Sequence, residues 1–191
     1  SDSHIHIRYR VDELLAAKAT PVKLKKGIPQ PTQGAERSKT TLYFYFVHRK
    51  TKKKWRVVEV PVVFSSTDER NFWEQTISYT LHGVEQRPRN IIVYINPFGG
   101  KGKAPKIYAQ NVEPLFALAD IKVEVVFTEY ANHAKEHVEK LDEHRWKTID
   151  GIVSVGGDGL FNECLSGAIN RTQSEQDIDV DDRRSCLVGP R

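Results

Sequence analysis

The first half of the chain alternates apolar and polar residues in the manner of an antiparallel β-hairpin. Aromatic and β-branched residues dominate 42–47 and 57–64, and the basic stretch 49–56 separates these two runs. The preceding segment, residues 20–38, is rich in Pro, Gly, Lys and Gln and is therefore predicted to be an exposed loop or linker. The pattern thus predicts a β-rich first module.

An amphipathic helix is predicted to follow this hairpin. Thr67 precedes an acidic first turn and is predicted as the N-cap residue. Phe72, Trp73, Ile77 and Leu81 then recur at helical spacing. We expect this helix to close the module and Trp73 to pack on the sheet.

From residue 89 onward the pattern changes to alternating strands and helices. Continuous apolar runs of the buried-strand type lie at 91–95, 123–127 and 149–155. Helical spacing predicts helices at 104–119, bent at Pro114, at 132–141, capped by Asn132, and at 160–169. The order βαβαβα predicts an α/β fold with a Rossmann-like parallel sheet covered on both faces.

Two glycine-rich segments lie directly after predicted strands, at 96–103 and at 156–159. Parallel sheets bind ligands outside the carboxyl ends of their strands. Neither segment is a standard nucleotide motif, because Ala104 follows the Gly-Lys pair of the first and Pro105 replaces the last glycine of a dinucleotide fingerprint. Backbone amides between glycines and a helix N-terminus nevertheless favour phosphate binding.

Composition limits the class of protein. The chain has 191 residues, 39 % of them hydrophobic and 28 % charged, which is typical of globular domains. The longest apolar runs are far short of a membrane span, and two cysteines cannot form a disulfide framework. A reducing, cytoplasmic location is therefore expected. Because the sequence contains no Met, we expect it to be a piece of a longer protein.

Charge is distributed unevenly between the two halves. Residues 1–90 hold 17 basic and 9 acidic side chains, whereas residues 91–191 hold 12 and 16. The lysine cluster at the predicted hairpin tip consists of Lys50, Lys52, Lys53 and Lys54. This cluster is either a solvated hairpin tip or a site that attracts anionic lipid headgroups. The second alternative would make the protein a peripheral membrane protein. Nucleic acid is not expected as a partner, because the aromatic residues alternate as in a sheet core.

The motifs of the second half resemble a known family. The segments 96–102, 128–129 and 155–163 are similar to the catalytic domain shared by diacylglycerol, sphingosine and ceramide kinases. Segments 106–108, 112–119, 128–132 and 150–153 favour the ceramide-kinase branch. Residues 39–84 resemble the second half of a pleckstrin-homology domain, and such a domain is also expected in the ceramide-kinase branch. The predicted domains are a pleckstrin-homology-like module at 1–86 and the N-terminal part of the catalytic domain at 87–191.

This resemblance implies transfer of the ATP γ-phosphoryl group to the primary hydroxyl of ceramide, with Mg²⁺ bound to the nucleotide. Asp158 is the implied catalytic residue, either as general base or as a ligand of that Mg²⁺. Whether Ca²⁺ stimulates the reaction is left open by the sequence. The implied nucleotide-binding residues are Asn96, Pro97, Phe98, Gly99, Gly100, Lys101, Gly102, Thr128, Gly156, Gly157, Gly159 and Glu163.

Three other polar groups have simpler interpretations. Glu163 can also be a charge near the start of the third helix, where a carboxylate is favoured. His133, His137 and His144 are predicted to be solvated residues of one helix, because no acidic or cysteine ligand joins them in a metal-site pattern. The acidic residues of 175–182 lack the glycine and final glutamate of an EF-hand, so an exposed loop is predicted.

Several alternatives remain open at this stage. Members of the family continue into a β-rich domain that closes over the nucleotide and contacts the lipid, so this chain is expected to be inactive by itself. A sphingosine or diacylglycerol kinase is the next hypothesis, and NAD kinase is a distant one that shares the Gly-Gly-Asp-Gly element at 156–159. A truncated membrane- and nucleotide-binding module without catalysis is the alternative from a different class.

Overall fold

The computed structural model describes residues 9–22, 38–51, 54–99 and 102–175. The chain divides into two units, residues 1–87 and residues 88–191. The elements of the first unit are a 3₁₀ turn at Val11–Glu13, strands β1 (Leu14–Lys18), β2 (Thr41–Thr51) and β3 (Lys54–Val63), and helix α1 (Thr67–His82).

The first unit is an antiparallel sheet in the order β1-β2-β3. The predicted hairpin is confirmed, since β2 and β3 pair from Thr41 opposite Val63 to Thr51 opposite Lys54. Strand β1 was not predicted, because its sequence, Leu-Leu-Ala-Ala-Lys, has little β propensity. The side chain of Tyr45 is fully buried, and its hydroxyl donates to Glu59 Oε2 at 2.8 Å. The resemblance of the first unit to a pleckstrin-homology domain stays a prediction.

Helix α1 is present as predicted, but two of its details differ. Ser66 rather than Thr67 is the N-cap residue, because its hydroxyl accepts a hydrogen bond from Glu69 N at 3.1 Å. Trp73 is 42 % exposed, and its ring contacts Phe72 edge-to-face at 5.7 Å. The prediction that Trp73 packs on the sheet is thereby corrected.

The second unit contains three parallel strands and the helices between them. Its elements are β4 (Asn90–Ile95), α2 (Ala104–Ile107), a π-helical turn (Tyr108–Val112), α3 (Glu113–Leu118), β5 (Lys122–Phe127), α4 (His133–Glu139), α5 (Glu143–Thr148), β6 (Gly151–Val155) and α6 (Asp158–Glu175). The strand order is β5-β4-β6, with β4 in the middle and both pairings parallel. The predicted parallel sheet is confirmed.

Both faces of this sheet are covered. Side chains of β4 alternate between the two faces, as the period of two along a strand requires. On one face, Ile92 and Tyr94 pack with residues of α4 and α6. On the other, Val93 and Ile95 pack with residues of α2 and the π-helical turn. The free thiol of Cys164 lies in the first of these cores, where burial raises its pKa to about 12.

The helical segments depart from the predicted ones in three places. The predicted helix 104–119 consists of α2 and α3 joined by the π-helical turn, which ends shortly before Pro114. Proline lacks the N–H that an α-helix interior requires, so Pro114 is tolerated near the start of α3, and π-helical turns occur as single turns inside helices. Asn132 does not cap α4 with its side chain, because it has φ 67° and ψ 5° instead of an extended backbone. A separate helix, α5, was not predicted; Asp142 caps it by accepting from Arg145 N at 2.8 Å.

The amino ends of β4 and β6 are joined by a carboxylate. Asp150 Oδ2 accepts hydrogen bonds from Arg89 N at 2.6 Å and from Asn90 N at 2.8 Å. These two backbone donors lower the pKa of the Asp150 carboxyl. Strand β6 begins directly after this residue, at Gly151, two residues later than predicted.

In the part of the chain that the structure describes, no helix is both long and apolar enough to cross a membrane.

Candidate functional site

The carboxyl ends of the three parallel strands lie at one edge of the sheet. Asn96 N donates to the Val155 carbonyl at 3.1 Å, and Thr128 N donates to the Ile95 carbonyl at 2.9 Å. These two bonds connect the residue after β4 to the end of β6, and the residue after β5 to the end of β4. The predicted site residues that follow the strands are therefore brought to the same edge.

The segment after β4 is shaped by its own asparagine. Asn96 Oδ1 accepts hydrogen bonds from Phe98 N and from Gly99 N, both at 2.9 Å. An asparagine side chain that binds the backbone two and three residues later forms a tight turn. Pro97 lies in this turn and the Phe98 side chain is 77 % exposed. The Asn96 side-chain oxygen thus shapes the segment, which a sequence motif alone does not reveal.

Gly102 continues the same segment, with φ 66° in the left-handed region. Its N–H donates to the Gly99 carbonyl at 3.1 Å. A residue with a Cβ would be strained at this φ, so a glycine suits this turn. Gly100 and Lys101, which were also predicted to bind nucleotide, lie outside the described residues.

Gly156 fixes the position of the segment after β6. A Cβ atom at this residue would lie 2.9 Å from Leu160 Cδ2 and 3.3 Å from Asn96 Cβ. A side chain here would make Leu160 rotate and Asn96 shift by a few tenths of an ångström, so glycine suits the close approach of the two glycine segments. Gly157 and Gly159 are different, because a Cβ at either would meet nothing within 4 Å. Their backbone is accessible to a ligand.

Asp158 lies between these two open glycines and is the first residue of α6. It is exposed, and within the described ranges no hydrogen bond or ion pair engages its carboxylate. The positive end of the helix dipole favours a negative charge at this position. The helix begins at Asp158 itself rather than beyond the glycines, which corrects the predicted start.

Thr128 is buried at the end of β5. Its hydroxyl donates to the Ile95 carbonyl at 3.4 Å, in addition to the bond made by its backbone N–H. A hydroxyl that donates inward keeps its oxygen lone pairs as acceptors. In this arrangement the Thr128 hydroxyl oxygen can act as an acceptor.

Glu163 has a partner that the sequence did not indicate. Its Oε2 atom accepts a hydrogen bond at 3.3 Å from the backbone N–H of Ala134, the second residue of α4. Glu163 lies in the second turn of α6, not at its start. The interpretation of this residue as a charge at the start of its own helix is therefore wrong: its carboxylate caps a neighbouring helix. No local pattern connects two residues that are 29 positions apart.

The three histidines do not share one helix. His133 and His137 lie on α4, whereas His144 lies on α5. His137 Nδ1 is 2.8 Å from the hydroxyl of the fully buried Tyr94, and burial lowers the pKa of this imidazole. His137 is thus a packed residue, contrary to the predicted solvated position. No group of three or more His, Cys, Asp or Glu residues suited to a metal occurs among the described residues.

The lysine cluster belongs to the first unit. Lys50 belongs to the end of β2 and Lys54 to the start of β3. Lys52 and Lys53 lie outside the described residues, as do residues 176–182 of the predicted acidic loop. Trp55, next to the cluster, is 59 % exposed.

The model of the diacylglycerol kinase catalytic domain matches residues 90–180 of the chain. Ceramide kinase 1 of Caenorhabditis elegans is 49 % identical over 191 residues, which are 100 % of this chain and 35 % of that protein. Ceramide kinase of Mus musculus is 44 % identical over 149 residues, 76 % of this chain and 28 % of that protein. Ceramide kinase of Homo sapiens is 36 % identical over 181 residues, 93 % of this chain and 32 % of that protein.

The chain spans about a third of the length of these curated relatives. The family match covers β4, β5, β6 and the segments that follow them. The similarity to ceramide kinases also includes the first unit, which lies before the catalytic domain. Residues 90–180 therefore belong to the diacylglycerol kinase catalytic domain family, as their motifs predicted, and the chain as a whole is similar to ceramide kinases.

Proposed function

We propose that this chain is part of a lipid kinase that transfers the γ-phosphoryl group of ATP to the primary hydroxyl of ceramide, giving ceramide 1-phosphate. The observation that carries the proposal is the similarity to a ceramide kinase along the whole chain, through the first unit as well as the catalytic domain. The remaining part of the enzyme would supply the lipid contacts, so the isolated chain is proposed to be inactive.

The segments after β4 and β6 would bind the ATP phosphates. Gly157 and Gly159 have open Cβ positions, so an anion can approach their backbone closely. Gly157 precedes the 18-residue helix α6 and Gly159 is its second residue, and the N-terminus of this helix favours negative charge. Phosphoryl transfer depends mainly on positioning and on neutralising charge, and this arrangement suits both needs.

Thr128 would contact the ribose in preference to the phosphates. Its hydroxyl donates to the Ile95 carbonyl, so an accepting oxygen is what remains for a ligand. A ribose hydroxyl can donate to such an oxygen, whereas an ionised phosphate offers only acceptors. Glu163, by contrast, already has the Ala134 amide as a partner.

Asp158 would act on the reacting groups themselves. Its exposed carboxylate suits either of two roles, accepting the proton of the lipid hydroxyl or binding the Mg²⁺ that accompanies ATP. Magnesium in kinase sites takes one or two carboxylates together with substrate phosphates, so a single aspartate fits this donor set. When bound, Mg²⁺ would neutralise charge on the phosphates.

The test of this role is Asp158→Asn in the full-length enzyme. We expect turnover to fall at least about 100-fold, the usual contribution of a general base, with the fold unchanged by circular dichroism. Asp120→Asn is the matched control, because Asp120 is exposed before β5, at the opposite end of that strand, and its φ of 56° suits asparagine equally well. Near-normal turnover of Asp158→Asn would sink the assignment.

Two further measurements separate the remaining alternatives. Partial recovery of Asp158→Asn at high Mg²⁺ concentration indicates the metal-ligand role, and no recovery indicates the general base. A panel of ceramide, sphingosine and diacylglycerol assayed with the full-length enzyme tests the substrate. The proposal requires the highest kcat/KM for ceramide, and a higher value for either other lipid replaces it.

The first unit would bring the enzyme to an anionic membrane surface as a peripheral protein. Residues 1–90 carry a net charge of +8, and two lysines of the cluster, Lys50 and Lys54, lie at the end of β2 and the start of β3. Basic residues near an anionic leaflet contribute about 1 kcal/mol each. Exposed Trp55 adjoins the cluster and adds an aromatic ring of the kind found at membrane interfaces.

A further inference from the structure

We propose that Glu163 is a positioning residue: its carboxylate holds the N-terminus of α4 and thereby the preceding 128–132 loop in the arrangement that binds ATP. This inference rests on the proposed function for the role of the loop. The hydrogen bond from Ala134 N to Glu163 Oε2, at 3.3 Å, is the contact that carries it.

Helix α4 lacks the cap that its own sequence would normally supply. The first N–H groups of a helix have no partners within the helix and need acceptors from elsewhere. Asn132 precedes α4 but has φ 67° and makes no side-chain cap bond. The N–H of His133 donates to the Tyr130 carbonyl at 3.3 Å, and that of Ala134 donates to Glu163. Glu163 therefore supplies from α6 the acceptor that Asn132 does not.

The loop between β5 and α4 is thus held at both ends. Thr128 ties its start to the end of β4 through the bond to the Ile95 carbonyl. Within it, Glu129 N donates to His133 Nδ1 at 3.1 Å. The bond between Ala134 and Glu163 holds the far end. Loss of this last contact would leave the Ala134 N–H without its acceptor and loosen the far end of the loop, while the buried side chains of Ala134 and Val138 keep α4 packed in the core.

Glu163 and Asp158 lie on the same helix but point in different directions. Side chains five residues apart are about 140° apart around a helix axis, at 100° per residue. Glu163 faces α4, where Asn170 Nδ2 also donates to Glu139 Oε1 at 2.6 Å. Helix α6 therefore begins with the proposed catalytic carboxylate and also holds α4. The geometry fixes the 128–132 loop relative to the helix that begins with Asp158.

Two substitutions in the full-length enzyme separate positioning from direct contact with the nucleotide. Glu163→Gln keeps an oxygen at the same distance along the side chain, so it can still accept from Ala134 N; Glu163→Ala cannot. We expect Glu163→Ala to raise the ATP Kd and KM about fivefold, the factor that corresponds to a lost capping bond, with kcat less affected. Glu163→Gln should stay within about twofold of wild type, because a neutral oxygen still caps.

Hydrogen exchange of the α4 backbone provides a readout that does not depend on catalysis. Glu163→Ala should speed exchange at Ala134 in the absence of ATP, and Glu163→Gln should not. Glu143→Ala is the control, because it removes a carboxylate of α5 that is 70 % exposed and leaves α4 untouched. If Glu163→Ala fails to fold, Glu163→Asp replaces it, since its shorter side chain should also lose the bond.

The outcomes distinguish this inference from the proposed function. Equal weakening of ATP binding by Glu163→Gln and Glu163→Ala would overturn it, because it would show that the charge and not the cap is needed. Unchanged exchange at Ala134 in Glu163→Ala would overturn it as well. The wild-type enzyme could phosphorylate none of the three lipids while the Glu163 variants change ATP affinity and α4 hydrogen exchange as expected. In that case the proposed function fails and the positioning role stands.

Discussion

Gly167 provides the sharpest test of how α4 and α6 are packed. This glycine lies in the interior of α6 and faces α4. A Cβ atom there would lie 2.9 Å from the Lys135 carbonyl oxygen, 3.1 Å from Lys135 Cα and 3.0 Å from Val138 Cβ. Two of these three atoms belong to the α4 backbone, so no side-chain rotation can relieve the contact. Gly167→Ala must shift one helix relative to the other.

Two opposing effects set the magnitude. Alanine in a helix interior is more favourable than glycine by about 1 kcal/mol. Overpacking a close contact costs about 1–3 kcal/mol, and backbone atoms at about 3 Å put this case in the upper part of the range. We therefore expect the free energy of unfolding of the second unit to fall by about 1–2 kcal/mol. The packing effect should outweigh the propensity effect.

Gly159→Ala on the same helix is the matched comparison. A Cβ at Gly159 meets nothing within 4 Å, so only the propensity effect operates there. Its stability should lie between that of wild type and a gain of about 1 kcal/mol. Gly167→Ala should therefore be less stable than Gly159→Ala by about 2 kcal/mol.

Urea unfolding followed by circular dichroism measures these differences. Hydrogen exchange of the β4 amides, which lie in the central strand, assigns the transition to the second unit. In thermal unfolding, for a domain of this size, the loss corresponds to a Tm lower by about 4–15 °C. A Gly167→Ala protein as stable as Gly159→Ala would refute the reasoning, because α4 would then not be held against α6 at this distance.

Two other predictions concern pH and membranes. The lowered pKa of Asp150 means that its ionised form stabilises the fold above the usual pKa and loses this effect as the pH falls through the lowered value. The stability advantage of wild type over Asp150→Asn in urea unfolding should thus shrink from pH 6 to pH 3; an unchanged difference contradicts this. Replacing the four lysines of the cluster by glutamine should reduce the fraction of protein that sediments with anionic vesicles. The fraction that sediments with neutral vesicles should not change. Equal sedimentation of both proteins with anionic vesicles contradicts the membrane proposal.

Much of the second unit follows from short-range sequence patterns. The buried strands, the glycine segments after them and the parallel order were predictable, because apolar periodicity and glycine placement act within a few residues. Asn96, Gly156 and Asp158 belong to the segments that could be predicted in this way. Their position after strands was sufficient to bring them to one edge of a parallel sheet.

What escaped prediction depends on the tertiary structure or on backbone angles. Asn132 has a good capping side chain, but its left-handed backbone makes that cap inaccessible. Glu163 reaches a helix 29 residues earlier in the chain, and no pattern encodes such a pairing. Trp73 has the spacing of a core residue, yet α1 is attached partly through polar contacts such as Ala19 N to Glu74 Oε1 at 2.8 Å. Periodicity states which residues can be buried, and contacts between elements decide which of them are.

The candidate site is therefore ordered by contacts within the protein that need no ligand. The Asn96 side chain shapes the segment after β4, and the absence of a side chain at Gly156 allows the segment after β6 to approach it. Glu163 holds α4, the helix that follows the segment after β5. A site that is already ordered loses less conformational freedom when a ligand binds, so more of the contact energy appears as affinity. It follows that Glu163→Ala and a substitution at Gly156 should weaken the proposed binding of ATP although neither residue needs to touch ATP. Those at Gly157, where the backbone is open, should act on the bound ligand directly.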